Sequence, residues 1–402
     1  MGALAGLVLL EIILRVFAPF PHYPDLVVPD ENVGFLLKRG ASGRETNRMG
    51  EYDTAITVNQ EGFRDRGHPV AKPPGTLRIA FLGDSFTYAG QVEENQTFVR
   101  RVEMSLNDRL QSRGKQAKIE CMNFGIGGYD TQQEVLCYEA YVRKYKPDLV
   151  ALMMYPHNDF VGNIFYQFER DFGRPYFKMA GGELQKIGAD PKKLRENYRQ
   201  SLRREQMRWY HHLHVYNAQK NILYHFRQAR RQKEEVNSLK LAPMDAAGLE
   251  KFWKVFGYRK YRYYASNEND PFVAEVDMAT RLLLERLQAM ARRDGVRLCV
   301  ALLPSEENLW PERWPQRVKN FPGMERFRMD FERSFRRVPS FLPDAAIKND
   351  LLDLRPVLRE AAKEGPVFFY HDFHYNERGQ KAVADALTPW LETKLGKFFQ
   401  AK

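Results

Sequence analysis

The sequence predicts an α/β protein of three layers, α/β/α, with a mainly parallel central sheet and a helical insertion. Two observations predict it. From Arg78 onward, short apolar runs alternate with segments whose apolar residues recur at helical spacing, the pattern of strand and helix units joined by right-handed crossovers. The leading run, Arg78-Ile79-Ala80-Phe81-Leu82, reads as a strand buried on both faces and stops abruptly at Gly83-Asp84-Ser85.

Composition sets the bounds. The 402 residues suffice for one sizeable core plus an accessory part, and a hydrophobic content of 44% is that of a globular protein rather than a disordered one. Lys and Arg number 62 against 51 Asp and Glu, a formal +11 that suits anionic partners such as acidic polysaccharide or phospholipid head groups. No zinc finger, RNA-binding signature or basic zipper occurs, so nucleic acid is not an expected partner. Cys121, Cys137 and Cys299 are too few and too far apart for a disulfide framework or a zinc site, and read as small buried residues.

The elements follow in order. Residues 1–20 form an apolar stretch near bilayer length, with Glu11 and Arg15 one helical turn apart inside it. No basic residues precede it, and Pro19 follows Ala18 where a cleavable leader would end, so an uncleaved N-terminal membrane anchor is expected; a helix packed on the domain is the competing reading. Residues 21–77, rich in Pro, Gly and charge, read as a neck wrapping the domain, with one strand-like piece at Tyr52 to Val58 and a turn with an aromatic plug at Asn59 to Asp65.

The main domain is expected over 78–402. After the first strand, residues 97–112 place Phe98, Val99, Val102, Leu106 and Leu110 on one helical face, with Gly114 as a stop. Ala117 to Phe124 read as a strand, Thr131-Gln132-Gln133-Glu134 as a capping box opening a helix to about Tyr145, and Asp148 to Tyr155 as a third strand. Residues 160–275 break the rhythm; between Pro191 and Glu235 twelve Lys or Arg face four Glu, which reads as a helical insertion with a basic, solvated face. The pattern returns with a helix from about Val276 to Arg293, a strand from Val296 to Leu303, a helix from Leu351 to Lys363, a short strand at Val367 to Tyr370 and a terminal helix from Asn376 to about Phe398.

Ser85 ends a buried strand, where open α/β sheets hold their ligands, and is the candidate nucleophile. Three further blocks follow apolar runs: Asn123-Phe124-Gly125-Ile126-Gly127-Gly128-Tyr129, His157-Asn158-Asp159 and His371-Asp372-Phe373-His374-Tyr375-Asn376. Their order supplies a nucleophile, oxyanion donors, an acid and a base. Over about residues 78–390 these four blocks resemble the GDSL-type, or SGNH, hydrolase superfamily of esterases and acyltransferases.

The resemblance implies a flavodoxin-like SGNH fold and acyl-ester hydrolysis. In that reading Ser85 attacks, His374 is its base and Asp372 fixes the imidazole. The oxyanion donors are the N–H of Ser85, the N–H of Gly128, with Gly127 beside it, and the side-chain amide of Asn158. Two positions depart from the family pattern. The acid and base are spaced Asp-x-His rather than Asp-x-x-His, and Pro156 stands where the third block usually has glycine.

No cofactor or metal is expected: Gly125 to Gly128 do not make a dinucleotide fingerprint, and His211, His212 and His214 lack companions at metal-ligand spacing. The expected substrate is an acylated small molecule or glycan, and the catalytic domain is expected to be extracytoplasmic, in a bacterial periplasm or at the cell surface. Two alternatives are an O-acyltransferase acting on a cell-surface polysaccharide and a non-catalytic module presenting the basic insertion to a polyanion.

Overall fold

The computed structural model describes residues 2–17, 26–47, 49–164, 173–205, 249, 252–253, 258–321, 323–342, 348–396 and 399. Two antiparallel hairpins come first: Val27–Asp30 (β1) pairs with Gly34–Leu37 (β2), and Ser42–Thr46 (β3) with Asp53–Thr57 (β4). Then follow Thr76–Gly83 (β5), Lys118–Gly125 (β6), Leu149–Met154 (β7), a third hairpin of Tyr176–Ala180 (β8) with Glu183–Ile187 (β9), Arg297–Leu302 (β10) and Leu351–Asp353 (β11).

Five of these strands make one sheet in the order β11-β10-β7-β5-β6, with every neighbouring pair parallel. Numbered by their succession in the chain, the strands of this sheet run 2-1-3-4-5, the doubly wound order whose direction reverses between β5 and β7. All eight residues of β5 and all six of β7 are buried, because helices cover both faces.

The period of two along each strand divides the core into two apolar layers. Ala80, Leu82, Met122, Phe124, Val150 and Leu152 face one way, with Val135 of the helix Thr131–Cys137 and Val276, Leu283 and Leu287 of the helix Pro271–Arg293. Ile79, Phe81, Ile119, Cys121, Ala151 and Met153 face the other, with Val102 and Leu106 of the helix Phe98–Ser112 and Val383 and Leu387 of the helix Glu377–Lys394. This is the expected three-layer α/β/α fold, and full burial of each such Leu or Val is worth about 1.5–3 kcal/mol.

The first layer also takes in Leu36, Ile56, Val58 and Phe63, so residues 26–77 contribute core as well as cover. Their two hairpins exceed the one strand-like piece expected there, since each strand has only four or five residues and little alternation to read. Other readings are corrected as well. The helix expected over Leu351 to Lys363 is a three-residue edge strand, β11, followed by a helix at Arg355–Ala361. Val367 to Tyr370 do not join the sheet; among them only Phe368 makes a bridge, antiparallel to Tyr375.

The capping box of the helix after the Asn123 to Tyr129 block sits one residue earlier than expected, with Asp130 as cap and Gln133 as its partner, and the α-helix ends at Cys137 before a π turn at Tyr138–Val142. The described part of the insertion contains the β8–β9 hairpin besides the helices Pro191–Glu205 and Arg259–Ala265. His211, His212 and His214 and most of the basic run lie outside the described residues.

For the membrane anchor expected over residues 1–20, of which 1 and 18–20 lie outside the described residues, the described helix gives no support. The N-terminal helix Gly2–Phe17 has 16 residues, about 24 Å at the helical rise, against a hydrocarbon thickness of about 30 Å. Among the described residues, no helix is long and apolar enough to cross a membrane.

Arg78, fully buried on β5, ties the start of the sheet to the chain before it. Its guanidinium pairs with Glu120 (Nε to Oε2, 3.1 Å) and donates to the carbonyls of Pro69 (2.7 Å), Val70 (3.0 Å) and Tyr145 (2.9 Å). Truncation would take from the buried Glu120 carboxylate its closest cationic partner, leaving His68 and Lys118 at 3.7 Å, and would remove the donor to three carbonyls. Arg78→Ala is therefore expected to lower unfolding free energy by about 3–5 kcal/mol, and Arg78→Lys to recover little of it because an ammonium cannot span these acceptors. Denaturant titration checks this; a loss below about 1 kcal/mol, the worth of an ordinary hydrogen bond, would contradict it.

Candidate active site

The first site residue is placed by the end of β5. Gly83 and Gly125 close β5 and β6, and the short helix Ser85–Tyr88 lies directly on both. A Cβ on Gly83 would stand 2.1 Å from Thr87 Oγ1, and one on Gly125 would stand 2.5 Å from the Tyr88 backbone nitrogen. Only glycine permits this approach. Asp84 caps the helix, its carboxylate accepting from Phe86 N (2.9 Å), and Ser85 is left half-buried at the first turn.

Asn158 comes from the helix Pro156–Gly162 that follows β7, across the point where strand order reverses. Its amide Nδ2 donates to Tyr129 O (2.9 Å), with Asp84 Oδ2 at 3.4 Å, so it fastens the glycine loop to the serine turn. In that loop a Cβ on Gly127 would lie 3.8 Å from Ser85 Cβ, while Gly128 adopts φ +84°. Asn123 braces the arrangement, donating to Thr87 O (2.9 Å) and accepting from Gly125 N (2.9 Å).

His374 arrives from the other end of the chain. Its Nε2 lies 2.7 Å from Ser85 Oγ and its Nδ1 2.5 Å from Asp372 Oδ1. The ring packs on Phe86 (centroids 4.8 Å apart), which Tyr155 (4.3 Å) and Tyr375 (4.7 Å) hold from other sides. Tyr375 in turn donates to Pro304 O (2.8 Å), and Asn376 caps the terminal helix through Arg378 N and Gly379 N. All five residues singled out from the sequence, Ser85, Gly128, Asn158, Asp372 and His374, thus lie at the same end of the parallel sheet, Ser85 and Asn158 on short helices that follow β5 and β7 and the other three in loops.

The Asp-x-His spacing works through Phe373, which adopts the left-handed region at φ +67°. That turn reverses the chain so tightly that a carboxylate two residues away reaches its neighbour's imidazole. Phe369 N donates to His374 O (2.8 Å) and Phe373 N to Phe369 O (3.2 Å), closing the loop at its base.

Electrostatics separate the nearby acids. Burial pulls the Asp372 carboxyl up, but the hydrogen bond and charge of His374, with a bond from the Tyr52 hydroxyl (3.0 Å), outweigh it and hold Asp372 below the usual carboxylate range. Burial dominates at Asp84 and pushes it up to about 6 against the hydrogen bonds from Phe86 N and Asn158. Asp159, fully buried and accepting from Tyr155 N (2.7 Å), is pushed well above its ordinary value by burial. Buried His157 is driven down to about 3 by burial and then by Lys260, so it is neutral and serves as packing against Tyr261 and Tyr264.

Sequence reasoning missed three side chains of the second hairpin region: Glu45, Glu51 and Tyr52 all reach this site. No local signal marked them, because their partners lie 43 to 321 positions away. Among the described residues, no group of three or more His, Cys, Asp or Glu is placed to hold a metal ion, and the three cysteines are buried and free.

The raised Asp84 gives a signed expectation. Between about pH 4 and pH 6 the folded protein keeps a proton that the unfolded chain has released, so this residue makes stability fall as pH rises through that window. Asp84→Asn keeps a cap acceptor without the charge. It is expected to raise the unfolding free energy at pH 7.5 by roughly 1–3 kcal/mol relative to its effect at pH 4.5; equal effects at both pH values in denaturant titrations would refute it.

Comparison with known proteins follows the same lines. The chain is similar to TesA (12% identity, TM-score 0.36, covering 79% of this chain and 98% of that one) and to the psychrotrophic esterase EstA from Pseudoalteromonas sp. (10%, 0.34, 79% and 98%). It is also similar to Axe2, an acetylxylan esterase from Geobacillus stearothermophilus (14%, 0.36, 81% and 97%). A search of curated proteins found no match. The family model described as GDSL-like Lipase/Acylhydrolase matches residues 79–387, well over half of the chain and all four sequence blocks, and the chain belongs to that family of ester-hydrolysing enzymes.

Proposed function

We propose that the protein is a serine acyl-ester hydrolase in which Ser85, His374 and Asp372 form the catalytic triad. The observation that carries this reading is the continuous line of hydrogen bonds from Ser85 Oγ through both ring nitrogens of His374 to Asp372 Oδ1, at 2.7 and 2.5 Å. In the proposed reaction, His374 Nε2 takes the proton from Ser85 Oγ as the oxygen bonds to the acyl carbon. The tetrahedral intermediate then expels the alcohol, which leaves with the Nε2 proton, and a water activated by the same nitrogen releases the acid. Asp372 keeps the Nδ1 proton in place and stabilises the imidazolium.

The oxyanion would be held by the backbone N–H groups of Ser85 and Gly128 and by the amide of Asn158, whose Nδ2 would turn one hydrogen from the long contact with Asp84 Oδ2 (3.4 Å) toward it while keeping the other on Tyr129 O. Gly127, the glycine next to Ser85 Cβ, shapes the floor beside them. An O-acyltransferase acting on a cell-surface polysaccharide would use the same acyl-enzyme but pass it to a sugar hydroxyl, and product identity separates the two.

Ser85→Ala and His374→Ala are each expected to lower kcat on an activated acetyl ester by at least about 10³-fold with unchanged thermal melts, and a fluorophosphonate is expected to label Ser85 alone. Near-native turnover in either variant, or no labelling of folded protein, would sink the mechanism. Asn158→Ala is expected to cost about 10²- to 10³-fold in kcat, as loss of one oxyanion donor does. With abundant polysaccharide present, continued release of free acetate supports hydrolysis, whereas acetyl groups appearing on the polysaccharide would establish the transferase instead.

A further inference from the structure

The turn between β3 and β4 meets the loop that carries Asp372 and His374. Asn47 and Glu51 bond each other twice, Asn47 Nδ2 to Glu51 Oε2 (2.7 Å) and Glu51 N to Asn47 Oδ1 (2.9 Å), which fixes the glutamate side chain. Its carboxylate then accepts from three successive backbone amides: Oε1 from Tyr370 N (2.7 Å) and His371 N (3.0 Å), and Oε2 from His371 N (3.1 Å) and Asp372 N (3.1 Å). Three consecutive N–H groups turned onto one anion make a concave cradle of the kind that binds anions strongly.

The next residue adds a second contact. Tyr52 donates its hydroxyl to Asp372 Oδ2 (3.0 Å), leaving Oδ1 to His374, and its ring rests against Phe369 (5.3 Å). Farther along the hairpin, Glu45 accepts from the Tyr88 hydroxyl (2.7 Å), one helical turn beyond Ser85.

The loop needs such support. Its Phe373 is held at φ +67°, a left-handed conformation that a bulky L-residue rarely adopts, and Tyr370 and Phe373 project into solvent at 82% and 50% exposure. Beyond the bonds at its base, few internal contacts keep the loop in that form. A carboxylate bonded to its backbone on one flank and a phenol bonded to its acid on the other supply what the loop lacks.

We infer that Glu51 and Tyr52 are positioning residues of the active site: Glu51 fixes the backbone of the Asp372–His374 loop, and Tyr52 fixes the Asp372 carboxylate. The hairpin ahead of the main domain is then a working part of the site rather than a wrapping around it. The inference rests on the triad proposed above.

Steady-state kinetics of the full chain with an activated acetyl ester, with fluorophosphonate labelling rates and thermal melts alongside, test it. Glu51→Ala is expected to lower kcat about 10- to 100-fold, with KM changed less than about twofold and the labelling rate falling in step. Glu51→Gln, which keeps an acceptor oxygen, is expected to recover part of that loss. Tyr52→Phe, which removes one hydroxyl and no packing, is expected to lower kcat about 3- to 10-fold at an unchanged melting temperature. Wild-type kcat in Tyr52→Phe, or a loss in Glu51→Ala that appears only in KM, would overturn the inference. Should Glu51→Ala fail to fold, Tyr52→Phe decides. If His374→Ala is inactive while Tyr52→Phe and Glu51→Gln match the wild type, the positioning role alone falls; if His374→Ala keeps turnover, both proposals fall.

Discussion

The 2.7 Å hydrogen bond between Ser85 and His374 joins residues 289 positions apart, and the organisation of the site follows from what is needed to make it. One partner is placed by the sheet. Because β5 and β7 are neighbours on either side of the reversal in strand order, the loops after them diverge and leave a crevice. Ser85 and Asn158 stand at its two lips, and the Asn158 amide closes the gap by bonding Tyr129 O. The other partner has no strand to place it. His374 sits in a six-residue loop closed by the Phe368–Tyr375 bridge, and its aim depends on side chains packed around that loop.

This difference explains how the site tolerates a shorter acid-to-base spacing. Two residues apart in an extended chain, side chains share a face but stand too far apart for a carboxylate and an imidazole to bond. The left-handed turn at Phe373 folds the two together, and the residues around it carry the cost: Glu51 on the backbone amides, Phe86 under the imidazole, Arg317 over the Phe373 ring at 5.1 Å. The spacing that looked like a departure in the sequence is thus a local exchange of one backbone conformation for another.

How far the sequence could be read follows the same division. The strands around residues 78–83, 118–124, 149–154 and 297–302 are buried on both faces, so each appears as an apolar run, and the helices between them carry one clear stripe. Ser85, Gly128 and Asn158 inherit their places from the ends of those strands, so their positions are legible with them. β11 is not, because three half-buried residues carry no period and Pro356, three positions after them, suggests a helix start. The cap at Asp130 was misplaced by one residue because Thr131 is an equally good cap by type, and only the backbone chooses between them. Glu51 and Tyr52 were invisible for a stronger reason: their roles exist only once the first hairpin meets a loop about 320 positions later.

The acids around His374 complete the argument. Asp84 is raised to about 6 by burial, and burial likewise raises Glu45 despite the Tyr88 hydroxyl, whereas Asp372 is held below the ordinary carboxylate range. As pH falls, Asp84 and Glu45 take up protons first and Asp372 last. Negative charge near the imidazole therefore withdraws onto the one carboxylate bonded to Nδ1, which is the position from which an imidazolium is stabilised without being turned away from Ser85. Burial works against charge at all three acids. At Glu45 the Tyr88 phenol and the Arg64 charge do not overcome it, whereas at Asp372 the hydrogen bond and charge of His374 together with the Tyr52 phenol do, and that phenol comes from the hairpin.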